Sequence, residues 1–321
     1  MENRFQEMVE VHLSGAFPRS EKLVAATRAV ERGKAKQSDV EAILREDNSS
    51  LAGLQKEATL DAAVDGQLNW HDLFRPFSDL FTGIQPGSLT RWFDNNTFYR
   101  APVVSGKVSF KGGKVESFFR QDAFPRTSRK KAILPGPFTF ATLAENNTGS
   151  STSDLIDEVS HALRDLIKSL QASRYEIFQF NEPCLSAQRN DDDFKTAQNG
   201  FETCAKGLSG TSVLQTYFGD ASKAAEKLLN YPVDSIGVDF YATSLDSFAN
   251  VDFNKGLGCG CIDGRNSLLE EPNEIKKFVL KAREDLEPKS IFVSPNCDLD
   301  FLPQPVAEKK VRLLGQVKGL I

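Results

Sequence analysis

A chain of 321 residues, 40% hydrophobic and 26% charged, can bury a large core, which excludes global disorder. Its 39 Lys and Arg against 44 Asp and Glu give a net charge of -5. That balance excludes the clustered basic footprint of a nucleic-acid binder.

The first residues carry no basic region followed by a long apolar stretch, so neither a signal peptide nor a transmembrane span is expected. Val9 to Leu13 reads as a strand that ends in Ser14-Gly-Ala-Phe-Pro18. Glu21 to Arg32 and Asp39 to Leu51 read as helices, separated by the charged turn Gly33-Lys-Ala-Lys36. Residues 65–102 are rich in Trp, Phe, Asn and Pro and read as a long elaborated connection. Val103 to Phe110 is a second strand-like stretch. Ala132 to Leu134 runs into Pro135-Gly-Pro-Phe-Thr139, and Ser153 to Ala172 follows as an amphipathic helix with Ser153 placed as its N-cap.

Four more strand-like runs come next: Glu176 to Phe180, Ser212 to Leu214, Ser235 to Val238 and Leu257 to Ile262. Ser290 to Val293 is the last. Helical patterns over Ala221 to Leu229, Asn273 to Leu286 and Pro305 to Leu314 fall between or after them. Strands alternating with helices argue for a parallel sheet, and about eight such units argue for closure into a TIM-type (β/α)₈ barrel. The expectation is one barrel domain over 1–321, with an elaborated N-terminal segment and a long loop. Polar residues gather directly after each strand, which places a site at the C-terminal ends of the strands. The five cysteines are scattered and odd in number, which points to a reducing compartment, the cytoplasm by default.

At these strand ends the sequence resembles the cobalamin-independent methionine synthase family. The matching stretches run in order: Ser14-Gly-Ala-Phe-Pro-Arg19, Asp65-Gly-Gln67, Arg91-Trp-Phe-Asp-Asn-Asn96, Leu134-Pro-Gly-Pro-Phe-Thr139, Gln179-Phe-Asn-Glu-Pro183, Thr216-Tyr-Phe-Gly219, Asp263-Gly-Arg-Asn266 and Ser294-Pro-Asn-Cys297. Full-length members carry two related barrels. The Trp-Phe-Asp-Asn-Asn, Thr-Tyr-Phe-Gly and Asp-Gly-Arg-Asn stretches resemble the amino-terminal barrel, whereas Cys297 resembles the carboxy-terminal, catalytic one.

The resemblance implies methyl transfer from a methylated pterin or corrinoid donor to the thiol of homocysteine, giving methionine. A zinc ion would activate that thiol as thiolate. Its ligands in the catalytic barrels are a His-x-Cys, a Glu and a Cys, and these positions fall here on Gln215, Tyr217, Asp239 and Cys297. Cys297 and Asp239 are therefore the candidate metal ligands, and Cys297, Asp239 and Glu182 the candidate catalytic residues. Ser14, Ala16, Gln67, Asn181, Trp92 and Asn95 are carried over as substrate-binding positions. Gln67 and Asn181 stand where the family has carboxylates for the homocysteine ammonium, with Asp65 and Glu182 adjacent.

Other readings rest on the residues themselves. Trp92, Phe93, Phe98 and Tyr99 suit stacking on a flat ring, and Arg19, Lys22 and Arg265 suit an acidic tail. Loop-core aromatics and surface charges are the equally weighted alternative. Cys259 and Cys261 are two apart on a strand, so both face one side, either as thiolates toward the barrel centre or as core filling. Of the three histidines, His161 reads as surface, His12 as facing the barrel interior, and His71 as part of the loop. The expected function is that of a single-barrel methionine synthase, with a zinc-less donor-binding partner of a separate zinc-bearing barrel as the alternative. Methyl transfer to another thiol acceptor is a third.

Overall fold

The computed structural model describes residues 9–113, 115–120, 123–186 and 189–321. The first eight residues, and with them much of the N-terminal stretch read above as leaderless, lie outside the described residues. Among the described residues no helix is long and apolar enough to cross a membrane.

The chain opens with strand β1 (Val9–Val11) and helices α1 (Glu21–Glu31) and α2 (Gln37–Glu57). Then come α3 (Arg75–Leu80), strands β2 (Ile84–Arg91), β3 (Phe98–Val104) and β4 (Lys130–Pro135), α4 (Pro137–Leu143) and the short β5 (Glu145–Asn146). The regular alternation begins at α5 (Thr152–Ala172), followed by β6 (Tyr175–Asn181), α6 (Asp191–Cys204), β7 (Thr211–Gln215), α7 (Ala225–Leu228) and β8 (Ser235–Asp239). It ends with β9 (Gly256–Ile262), α8 (Pro272–Leu286), β10 (Ile291–Pro295) and α9 (Gln304–Leu320).

Seven strands form one parallel sheet in the order β1-β10-β9-β8-β7-β6-β4. The gap between β4 and β1 is closed by residues 61–64. Ala63 bridges Lys130 in parallel, with Ala63 N–H on the Arg129 carbonyl at 2.8 Å and Lys131 N–H on the Ala63 carbonyl at 2.9 Å. On the other side Asp61 N–H donates to the Val11 carbonyl at 3.0 Å, and the Asp61 carboxylate accepts from Val11 N–H at 2.8 Å. The sheet is a closed TIM barrel of eight staves. The second stave was expected at Val103 to Phe110. Instead β3 pairs antiparallel with β2 in a separate three-stranded sheet outside the barrel. The true stave, Asp61-Ala-Ala-Val64, is too short and too poor in β-branched residues to show a strand pattern.

Helix α5 follows from its sequence. Ser151 Oγ accepts from Asp154 N–H and the Asp154 carboxylate accepts from Ser151 N–H, a reciprocal cap two residues earlier than the expected Ser153. Leu155, Val159, Leu163, Leu166 and Leu170 then bury one continuous face. Most apolar side chains form one large core between staves and helices. A smaller cluster of Ala62, Ile177, Val213 and Phe292, from four different staves, fills the barrel interior. His12 stacks on the Phe292 ring at 5.0 Å, and the Lys131 ammonium lies 5.2 Å from the same ring, so both share that interior. A Cβ on Gly258 would collide with Phe292, which shows that the glycines of β9 face inward. Cys259 and Cys261 alternate with them and face the helix layer, where they fill the core.

Candidate active site at the barrel mouth

The C-terminal ends of the staves bring together Ser14, Ala16, Gln67, Asn181, Glu182, Gln215, Tyr217, Asp239 and Cys297 by the geometry of the barrel. Many of their polar atoms are engaged by backbone groups or by neighbouring amide side chains. Gln179 Nε2 donates to the Ser14 carbonyl at 2.6 Å and to Asn181 Oδ1 at 2.7 Å, spanning the mouth from β6 to β1. Gln215 Nε2 donates to the Thr216 carbonyl at 3.1 Å and the Asn296 carbonyl at 3.4 Å. The amide oxygens of Gln179 and Gln215 and the Tyr217 hydroxyl are buried and have no hydrogen-bond partner among the described residues. Gln67, held at φ 53°, donates its amide to the Ile133 carbonyl at 3.5 Å.

The carboxylates are tied to backbone. Glu182 accepts from Phe138 N–H at 2.9 Å and Thr139 N–H at 2.7 Å, so its two oxygens brace the first turn of α4. Burial pushes its carboxyl up to about 7, against those stabilising amides. Asp65 accepts from Gln67 N–H and Arg120 N–H, each at 3.0 Å, and burial raises it to about 6. Asp239 Oδ1 accepts from Tyr241 N–H at 3.0 Å and Asn296 Nδ2 at 3.0 Å, and Oδ2 from Phe218 N–H at 3.4 Å. Asn296 also accepts from Gly264 N–H at 2.8 Å, so it stitches the ends of β8, β9 and β10 together. The Cys297 thiol is buried, and burial, with Asp298 and Asp239 nearby, holds its pKa well above the ordinary value.

Above these groups lies an aromatic layer. Phe218, at φ 66°, packs against Tyr217 (4.5 Å), Phe93 (5.5 Å), Phe301 (5.6 Å) and Trp92 (6.3 Å). Trp92 is buried against Phe74 and Tyr99, and Asn95 Nδ2 donates to its carbonyl at 3.2 Å, fixing the tip of the β2–β3 hairpin. Arg265 reaches that tip, donating to Asp94 at 3.0 Å with its guanidinium 5.4 Å from the Phe218 ring centre. The hairpin thus leans over the mouth. Phe98 is exposed on β3, and Lys22 is exposed on α1. Arg19 lines a cavity of about 180 Å³ between α1 and α2 together with His71. His161 is exposed on α5.

Sequence reasoning missed Phe218, Gln179, Asn296 and Asp298. Each sits inside or beside a quoted stretch, so position was legible, but the role was not. The Asp298 carboxylate accepts from Ala16 N–H at 2.9 Å.

The family described as cobalamin-independent synthase, N-terminal domain, matches residues 81–287, more than half of the chain. The chain belongs to the cobalamin-independent methionine synthase family. A methionine synthase of Sulfolobus acidocaldarius is 24% identical over 314 residues, covering 96% of this chain and 90% of that protein. One of Saccharolobus solfataricus is 24% identical over 310 residues, covering 95% and 92%. Among solved structures, the B12-independent methionine synthase of Shewanella sp. W3-18-1, in complex with selenomethionine, superposes with a TM-score of 0.82 at 18% identity, covering 98% of this chain and 97% of that one. A putative vitamin-B12 independent methionine synthase of Listeria monocytogenes gives 0.77 at 16%, covering 97% and 98%.

Within this family the zinc positions can be tested on the donor atoms present. Gln215 and Tyr217 offer an amide and a neutral phenol, both poor zinc ligands. The Asp239 oxygens are committed to backbone N–H groups and Asn296. Among the described residues no three His, Cys, Asp or Glu side chains gather as a metal site. The residues at these positions do not fit zinc.

Proposed function

We propose that this chain serves the methionine synthase reaction, methyl transfer to the thiol of homocysteine, as a zinc-less barrel that binds the methyl donor beside a separate zinc-bearing barrel. The observation that carries this reading is the pair Gln215 and Tyr217 where a His-x-Cys would bind zinc. A thiol acceptor is a weak nucleophile until ionised, and Gln215 and Tyr217 do not supply the imidazole and thiolate that would hold an activating zinc ion. Phe93, Phe218 and Phe301 remain half-buried at the mouth, with Arg265 beside them, which suits a flat ring carrying an acidic tail, such as a methylated pterin.

A second reading, a synthase active alone, draws on the curated relatives, which match over nearly their whole length. One assay separates the two. The purified chain is given homocysteine, a methylated pterin donor and zinc, with and without a family barrel that carries the full His-x-Cys, Glu and Cys set. Methionine is expected only when both barrels are present. Sustained turnover by the chain alone sinks the partner reading and leaves the single-barrel synthase.

A further inference from the structure

The turn Ser14-Gly15-Ala16 closes β1 at the mouth and presents a backbone N–H, on Ala16, next to a hydroxyl, on Ser14. Such a pair is a ready receptor for a ligand carboxylate. Here the chain fills it from within. Ser14 Oγ donates to the Cys297 carbonyl at 2.6 Å. Ala16 N–H donates to Asp298 Oδ1 at 2.9 Å. A Cβ on Gly15 would collide with the same carboxylate, so the glycine leaves the space that Asp298 occupies. Asp298 is only half-buried, and among the described residues its Oδ2 makes no hydrogen bond, so the side chain reaches the mouth from the rim rather than from the core.

We infer that Asp298 is a specificity-determining residue whose own carboxylate occupies the anchor for an amino-acid carboxylate and so keeps amino acids out of the mouth. This rests on the donor-binding reading above and says what the donor-binding mouth rejects. Three features make the exclusion effective. The competing carboxylate is tethered two bonds from its own backbone, so its effective concentration at Ala16 is far above that of a free ligand. A ligand carboxylate arriving there finds the space beside Gly15 and the Ala16 N–H already filled by the Asp298 side chain. On the facing staves, Gln67 and Asn181 are neutral, so an amino acid's ammonium gains no charge-assisted bond in compensation.

The test is a gain of binding. Wild type, Asp298→Ala, Asp298→Gly and Asp298→Asn are titrated with L-homocysteine by calorimetry, after circular dichroism shows which variants are folded. Asp298→Ala and Asp298→Gly vacate the Ala16 N–H and are expected to bind at least tenfold tighter than wild type, the scale of one charge-assisted hydrogen bond. Asp298→Asn keeps an oxygen at the same place and is expected to stay within about threefold of wild type. The decarboxylated analogue of homocysteine should gain nothing from any substitution. The inference is overturned if wild type binds homocysteine as tightly as the folded alanine or glycine variant, or if the analogue gains as much as the amino acid. No methyl donor or second barrel enters the titration, so its failure is distinct from failure of the methyl-transfer assay.

Discussion

Lys131 illustrates how a residue's environment sets its behaviour. It lies inside the barrel, 1% exposed, with its ammonium donating to the Leu13 carbonyl at 2.9 Å and the Phe292 ring nearby. Burial pulls its pKa down to about 7 from an ordinary 10.5. The unfolded chain therefore binds more protons than the folded one between those values. The stability that Lys131 allows is fully present above 10.5 and is lost as pH falls toward 7. Lys131→Met is expected to flatten the rise of stability between pH 7 and 10, read from denaturant midpoints across that range. An unchanged slope would show that the ammonium is solvated. Glu182 works in the opposite direction. Its carboxyl is raised to about 7, so its share of stability is full below 4.5 and falls as pH rises through 7. The sequence reading treated Glu182 as a candidate for catalysis. Its two oxygens also brace α4, through amides from a segment more than forty residues away.

At the scale of elements, what was legible depended on length and period. Helix α5 was readable over nearly its full span, since its apolar stripe repeats every three or four residues and its ends carry capping groups. Helix α6 was not anticipated. It begins with Asp191, Asp192 and Asp193, and its buried face rests on Phe194, Ala197, Gly200, Phe201 and Cys204, a weak stripe on sequence alone. Strand β9 shows the reverse case. It was read as a strand from Leu257 to Ile262, and its glycines are what lets Phe292 cross the barrel. Gly258→Ala is expected to destabilise the protein by about 1–3 kcal/mol through overpacking, measured by urea unfolding. Wild-type stability in that variant would mean that Phe292 has an alternative rotamer with room to spare.

For the whole molecule, the decisive comparison is between the barrel that this family builds and the donor atoms that this chain supplies. The barrel brings positions 215, 217, 239 and 297 to one mouth, so the frame for a metal persists where the ligands do not. Gln215→His combined with Tyr217→Cys would place imidazole and thiol beside Cys297. After dialysis that variant is expected to hold about one zinc per chain, the occupancy of a three-donor site, while wild type holds none. Metal content by mass spectrometry reads this directly. Zinc retained by wild type would show that other donors assemble, and the partner reading would lose its main support.

The sequence alone was enough for the family and for the barrel. Those properties are written in local runs and in the residues that directly follow them, which survive reading one segment at a time. It was not enough to find the stave at 61–64, whose pairing comes from its two neighbours rather than from its own residues. Nor did it show that Ala16 is answered by Asp298, that Glu182 and Asp239 spend their oxygens on backbone amides, or that Phe218 roofs the mouth. These are contacts between segments far apart in the chain. Only closure of the barrel brings them within hydrogen-bonding and van der Waals range, and only there does a side chain's chemistry become a role.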